Sequence, residues 1–174
     1  MKRWVLFCGL ALLLSVVASA QEPAPKIEVF GGYSYLHVSD TGVSDNLQGG
    51  SISACDNLKN WLGVVGDFGV YHGGPSTING SITSYQVGPK VAFRRMGKWT
   101  PFAQVLVGGA RLSSGTFSQN VLAATLGGGA DYRFKEHISF RALQAEYMLT
   151  RFTDANNNNR QNNVRVSAGI VVRF

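Results

Sequence analysis

Cysteine is nearly missing from this 174-residue chain: Cys8 lies in the first apolar run and Cys55 stands alone in the remainder. A single thiol closes no internal bridge, so the fold is not stapled by disulfides. Histidine is as scarce. His37, His72 and His137 are far apart and offer no metal-ligand spacing, and each reads as a loop or interfacial residue. Charged residues make up only 15% of the chain, and the basic ones are scattered, which argues against a nucleic-acid-binding protein. Long apolar runs are absent beyond Val17, and mean hydropathy is +0.03, so no later segment can serve as a membrane helix.

The one continuous apolar stretch sits at the start. Lys2 and Arg3 precede a run from Trp4 to Val17 interrupted only by Gly9 and Ser15, and Ala18-Ser19-Ala20 is a small-residue cleavage site. This is the pattern of a secretory signal peptide, expected over residues 1–20 and removed from the mature protein. A retained membrane helix would need about 20 apolar residues, more than this run supplies. Cys8 lies too early in it for a lipoprotein site. Removing Lys2 and Arg3 leaves 14 basic against 10 acidic residues, a net charge of +4, on one domain spanning residues 21–174.

What is abundant is glycine and alternation. The last eleven residues place Val164, Val166, Ala168, Ile170, Val172 and Phe174 on one parity and Arg165, Ser167, Gly169, Val171 and Arg173 on the other. A period of two is a strand with unlike faces, one suited to lipid and one to a polar interior. Short alternating segments recur along the whole chain, the weak signature of transmembrane strands of roughly 10 residues.

Eight segments are expected: Lys26–Val38, Gly49–Asn57, Leu62–His72, Ser84–Arg94, Trp99–Leu112, Val121–Phe134, Ile138–Phe152 and the terminal strand. Between them lie loops at Ser39–Gln48, Gly73–Gly80, Ser113–Gln119 and Thr153–Asn163, alternating with short turns at Leu58–Trp61, Arg95–Lys98 and Lys135–His137. Longer polar loops after the odd strands and short turns after the even ones match an outer-membrane barrel with both termini in the periplasm. Trp61, Trp99, Tyr132, Phe134 and Phe174 would form one aromatic girdle, and Tyr35, Tyr85 and Phe152 the other. Two irregularities stand out. Pro89 removes a ladder donor inside the fourth segment, and a bulge is expected there. In the seventh, Arg141 and the pair Gln144 and Glu146 need opposite phases, so one extra residue is expected near Leu143.

Several stretches together resemble a known family: Phe30-Gly31-Gly32-Tyr33-Ser34-Tyr35, Asn60 to Phe68, Val87-Gly88-Pro89-Lys90, Gly127 to Tyr132, and terminal Arg173-Phe174. The chain resembles the OmpA/OmpX-like small outer-membrane barrels over essentially its whole mature length, without the peptidoglycan-binding domain of full-length OmpA-type proteins. The resemblance implies an all-β, eight-stranded antiparallel up-and-down transmembrane β-barrel with a polar, salt-bridged interior. It also implies a cell outer membrane location in a Gram-negative-type bacterium.

The inward-facing charged set is Glu28, Asp67, Lys90, Arg94, Asp131, Arg133, Arg141, Glu146, Arg165 and Arg173. Buried charges must be paired, and an eight-stranded interior is just wide enough for side chains to fill. The expectation is therefore a structural plug, with a narrow small-solute channel as the alternative. No catalytic, cofactor or metal residues are expected. A lipid A-modifying barrel enzyme is the less favoured reading, resting on His37 with Ser39 and Asp40, or His72 with Ser76. Expected partners are outer-membrane lipids, lipopolysaccharide and phospholipid, and the barrel-assembly machinery through Phe174, with no nucleic acid and a monomeric state. The outer loops, Asn156-Asn157-Asn158-Asn159 above all, are candidate ligand contacts, while Asn79-Gly80-Ser81 matches a glycosylation pattern of little weight in a bacterium.

Overall fold

The computed structural model describes residues 25–40, 43–73, 80–114, 117–154 and 157–174; residues 1–24, Ser76, Asn79 and Asn156 lie outside them, as do the side chains of Ser39, Asp40 and Phe152. Eight strands run in chain order: β1 (Ile27–Asp40), β2 (Val43–Asn57), β3 (Leu62–Gly73), β4 (Gly80–Ala92), β5 (Trp99–Ser114), β6 (Phe117–Arg133), β7 (Ile138–Asp154) and β8 (Asn157–Arg173). Each pairs antiparallel with the next, and β8 returns to β1, closing an all-β barrel. The closure is tight at the level of the backbone. Ile27 and Phe174 exchange N–H···O bonds of 3.2 and 2.9 Å. A closed ladder leaves no strand edge without partners, the condition for crossing lipid with strands.

The alternation read from the sequence decides which way each side chain points. Glu28, Phe30, Ser34 and Leu36 of β1 are buried while Ile27, Tyr33 and their parity face out; on β3, Val65, Asp67 and Tyr71 are buried while Val64 and Phe68 are exposed. The result is inverted relative to a water-soluble protein. Exposed side chains include Ile52, Val87, Val105, Val107, Leu122, Leu126, Phe140, Leu149 and Ile170, whereas Glu28, Asp67, Lys90, Asp131, Arg141, Glu146 and Arg165 are buried. An apolar surface this continuous belongs in contact with lipid.

The two ends of the barrel differ. At the end holding Pro25 and Phe174, here the turn end, short connections lie between β2 and β3, β4 and β5, and β6 and β7. Lys59 and Leu62 bond each other's backbone across the first; in the second, Gly97 takes a left-handed φ of 63°, which glycine adopts without cost. The opposite, hairpin end departs from expectation. Three of the four anticipated loops are mostly ladder: β1 and β2 pair as far as Asp40↔Val43, β5 and β6 to Ser114↔Phe117, and β7 and β8 to Asp154↔Asn157. Strands of up to 17 residues exceed the 9–11 or so that cross the hydrocarbon, so the polar rungs stand beyond it. Cross-strand pairing satisfies their backbone whatever their side chains are, and residue polarity therefore hid the pairing. Residues 74–79, within the remaining anticipated loop, lie outside the described residues.

The irregularity in β7 is where the parity requires it. Asp131 faces Arg141 but Ala130 faces Leu143, and the β7–β8 register shifts between Arg141 and Gln144. Ala142 and Leu143 both point outward, so Arg141 and Gln144 both point in. The bulge expected at Pro89 is absent. Register is the same on both sides of it, Val87↔Val107 and Lys90↔Gln104, and only the rungs at Gly88 and Pro89 drop out of the β4–β5 ladder. On the other side Pro89 stays paired with Val64. A missing N–H costs a ladder bond, but it need not insert a residue.

Candidate functional site: the charged lumen

The barrel interior holds two polar clusters stacked along its axis. The upper one centres on Arg165 of β8, whose side chain is fully buried. Its Nε donates to Glu146 of β7 at 2.5 Å, and its Nη1 donates to Asp67 of β3 at 2.7 Å and to the Tyr71 hydroxyl at 2.8 Å. Gln104 of β5 donates to the other Glu146 oxygen at 2.7 Å. Strands β8 and β3 lie nearly opposite in the ring, so this one side chain ties the barrel across its bore. Leu36, Leu47 and Tyr71 pack as an apolar cluster on the hairpin side, and Ser34 bonds both Ser51 and Ser167 at 2.7 Å.

The lower cluster lies toward the turn end. Glu28 accepts from Lys90 at 2.9 Å and from Arg94 at 3.0 Å, and Arg94 Nε also donates to the Asn60 carbonyl. Asp131 receives Arg141 through both oxygens, at 2.7 and 3.2 Å, and Arg141 Nη1 donates to Gln144. The Arg141 guanidinium is sandwiched between the rings of Phe30 and Phe102, 4.4 and 4.3 Å from their centroids, and Lys90 lies over Phe102 at 4.7 Å. Cation–π contact of this kind strengthens where water is excluded. Arg173 approaches Glu28 at 3.3 Å and Asp131 at 3.7 Å.

Room for these rings comes from glycine. A Cβ at Gly32 or Gly169 would meet the Phe30 ring, one at Gly129 the Phe102 ring, one at Gly69 the Tyr71 ring, and one at Gly127 the Glu146 side chain. Phe30, Phe102 and Tyr71 thus each lie over a position with no side chain, a pairing that glycine in a strand permits.

Most of the charged residues singled out from the sequence fall into these clusters: Asp67, Glu146 and Arg165 above, and Glu28, Lys90, Arg94, Asp131 and Arg141 below. Arg133 does not sit among them. It is half-buried at the end of β6 and donates to the Gly97 carbonyl in the turn below. Sequence reasoning passed over Phe30, Phe102, Tyr71, Gln86, Gln104 and Thr125 as participants, although Thr125 donates to Gln86 at 2.8 Å. Inward parity marks all of them as facing the bore, but not which partners they meet there.

The partners that the sequence offers His37 and His72, namely Ser39, Asp40 and Ser76, have side chains outside the described residues. The His37 ring pairs with Asn46 across the β1–β2 ladder at 2.7 Å. His72 is exposed and stands opposite Gln48 and Ser81. Cys55 is buried with Val65 and Leu106. On the outer surface, Trp99 meets Tyr132 edge to face at 5.1 Å beside exposed Phe134 and Phe174, a belt of rings around the turn end.

Comparison with known proteins agrees with this architecture. The family profile described as outer membrane protein beta-barrel domain matches residues 6–174. Among solved structures, Neisserial surface protein A (NspA) is similar with a TM-score of 0.67 and 21% identity, covering 88% of this chain and 100% of its own. Ail, the attachment invasion locus protein of Yersinia pestis, follows with a TM-score of 0.56 and 19% identity over 85% of this chain and 99% of its own. The N-terminal β-barrel domain of Pseudomonas aeruginosa OprF gives 0.55 and 16% over 88% and 100%. At these identities the likeness speaks for the fold. Among curated proteins, no sequence match is found.

Proposed function

The chain belongs to the outer membrane protein beta-barrel domain family, and from that premise we propose that it is an integral barrel of the bacterial outer membrane with a structural or surface-interaction role, its lumen closed by ion pairs. Residues 1–20 are the export signal in this reading, the turn end faces the periplasm, and the hairpins project outward. Phe174, exposed beside the closing strand, is the contact for the assembly machinery, and the apolar belt is the contact for lipopolysaccharide and phospholipid. The extended hairpins are the surfaces for any external ligand. No catalytic role is assigned to His37 or His72.

The observation that carries the plug is Arg165. It has no exposed side-chain surface and binds Asp67 and Glu146 from strands on different sides of the bore. A narrow solute channel would need a water file past this tie and past Tyr71, Leu36 and Met148, which are buried at or below 1% exposure. Single-channel recording in planar bilayers tests the reading. The folded protein is expected to give no steady openings; resolvable, sustained conductance steps would replace the plug with the channel.

A further inference from the structure

Among the described residues, the two clusters are unequal in charge. The upper sets Arg165 against Asp67 and Glu146, while the lower sets Lys90, Arg94, Arg141 and Arg173 against only Glu28 and Asp131. The surplus can be followed atom by atom. Both Asp131 oxygens are taken by Arg141, and those of Glu28 by Lys90 and Arg94. Arg173 therefore arrives last at each carboxylate. Its Nε and Nη2 make no hydrogen bond, and Arg94 Nη2 makes none either. The Arg173 side chain is only 6% exposed, so these donors do not face bulk water. A guanidinium cannot shed its charge, and buried donors without acceptors are costly.

We propose that the turn end of the lumen binds a small oxyanion of the phosphate class between Arg94 and Arg173. Both guanidiniums flank the same oxygen, Glu28 Oε1, which brings their unused donors close together. Forked N–H groups and a local excess of positive charge suit a tetrahedral oxyanion. The residues are on the inward parity, so an ion would have to enter from the turn end of the bore, whereas a phospholipid headgroup would have to bend over the rim. A bound anion would add one more tie below the Arg165 bridge.

Calorimetric titration with inorganic phosphate tests this, using protein refolded in alkyl-glucoside micelles free of phosphate and sulfate. One saturable site per barrel is expected. Binding should be lost in Arg173→Gln and weakened roughly tenfold or more in Arg94→Gln, but unchanged in Lys98→Gln, which alters an exposed turn cation. Heat-modifiable gel migration establishes that each variant is folded, and Arg94→Gln carries the comparison if Arg173→Gln does not fold. Doping the micelles with phosphatidylglycerol distinguishes the source. No displacement is expected; competitive displacement would keep the phosphate site and assign it to a lipid headgroup. Absence of saturable uptake by the native sequence, meaning that water alone fills the cluster, would overturn the proposal. Equal uptake by Arg173→Gln, Arg94→Gln and Lys98→Gln, meaning diffuse binding at the rim, would overturn it as well.

Discussion

At the residue scale the lumen is governed by the expense of an unpaired buried charge. Arg165→Met leaves Asp67 and Glu146 facing each other without their shared cation. Breaking a buried pair by removing one partner costs about 3–5 kcal/mol. Replacing all three charges, as Asp67→Asn, Glu146→Gln and Arg165→Met together, removes the repulsion with the attraction and should cost markedly less than the single change. Denaturant titration of the refolded barrel measures both; a triple variant less stable than Arg165→Met would refute this account. The charged members of this cluster were legible because each sits on the inward parity. Tyr71 and Gln104 were not, since nothing in their spacing says that a phenol and an amide will complete the hydrogen bonding of an arginine and a glutamate. The Phe30–Arg141–Phe102 sandwich was hidden for a similar reason. It depends on contacts across the bore and on room left by glycines such as Gly32 and Gly129, and both are set by registers that local sequence does not encode.

At the scale of the strand, phase decides everything. Deleting both Ala142 and Leu143 makes Arg141 and Gln144 chain neighbours, so that in a regular strand they can no longer both face inward. Either Gln144, Glu146 and Met148 turn to lipid or Ser139 and Arg141 do. The expected outcome is failure to reach the heat-modifiable form on gels, whereas Leu143→Ala, which keeps the count, should fold. Pro89 is the milder case. Because the register beside it is unbroken, Pro89→Val fits without rearrangement and restores a backbone donor, for a gain of roughly 0.5–1.5 kcal/mol in the same denaturant titration. A loss of stability would mean that the ring makes a contact worth more than the bond. The contrast shows where sequence reading succeeds. A parity conflict between Arg141 and Gln144 forces a bulge, because a charge in lipid has no cheap remedy. A proline forces only the loss of one bond. The strand cores were legible through their apolar parity; the polar rungs such as Thr153↔Asn158 were not, because beyond the hydrocarbon the ladder no longer demands alternation.

At the scale of the molecule, the proposed sidedness rests on the unequal ends. The turn end carries Lys59, Arg95, Lys98 and Lys135 in short connections and an aromatic belt of Trp99, Tyr132, Phe134 and Phe174. The hairpin end carries ladders that run past the length needed to cross lipid, bearing polar residues such as Asn157 to Asn159. Outer-membrane barrels keep short turns in the periplasm and long projections outside. Thiol labelling can test this orientation directly, because Cys55 is buried and its removal by Cys55→Ser leaves no thiol in residues 21–174. In that background, Asn157→Cys in intact cells should react with a maleimide on a polymer too large to cross the outer membrane. Lys98→Cys should react only after that membrane is permeabilised. The reversed pattern would invert the barrel, and with it the assignment of the Arg94 and Arg173 cluster to the periplasmic side.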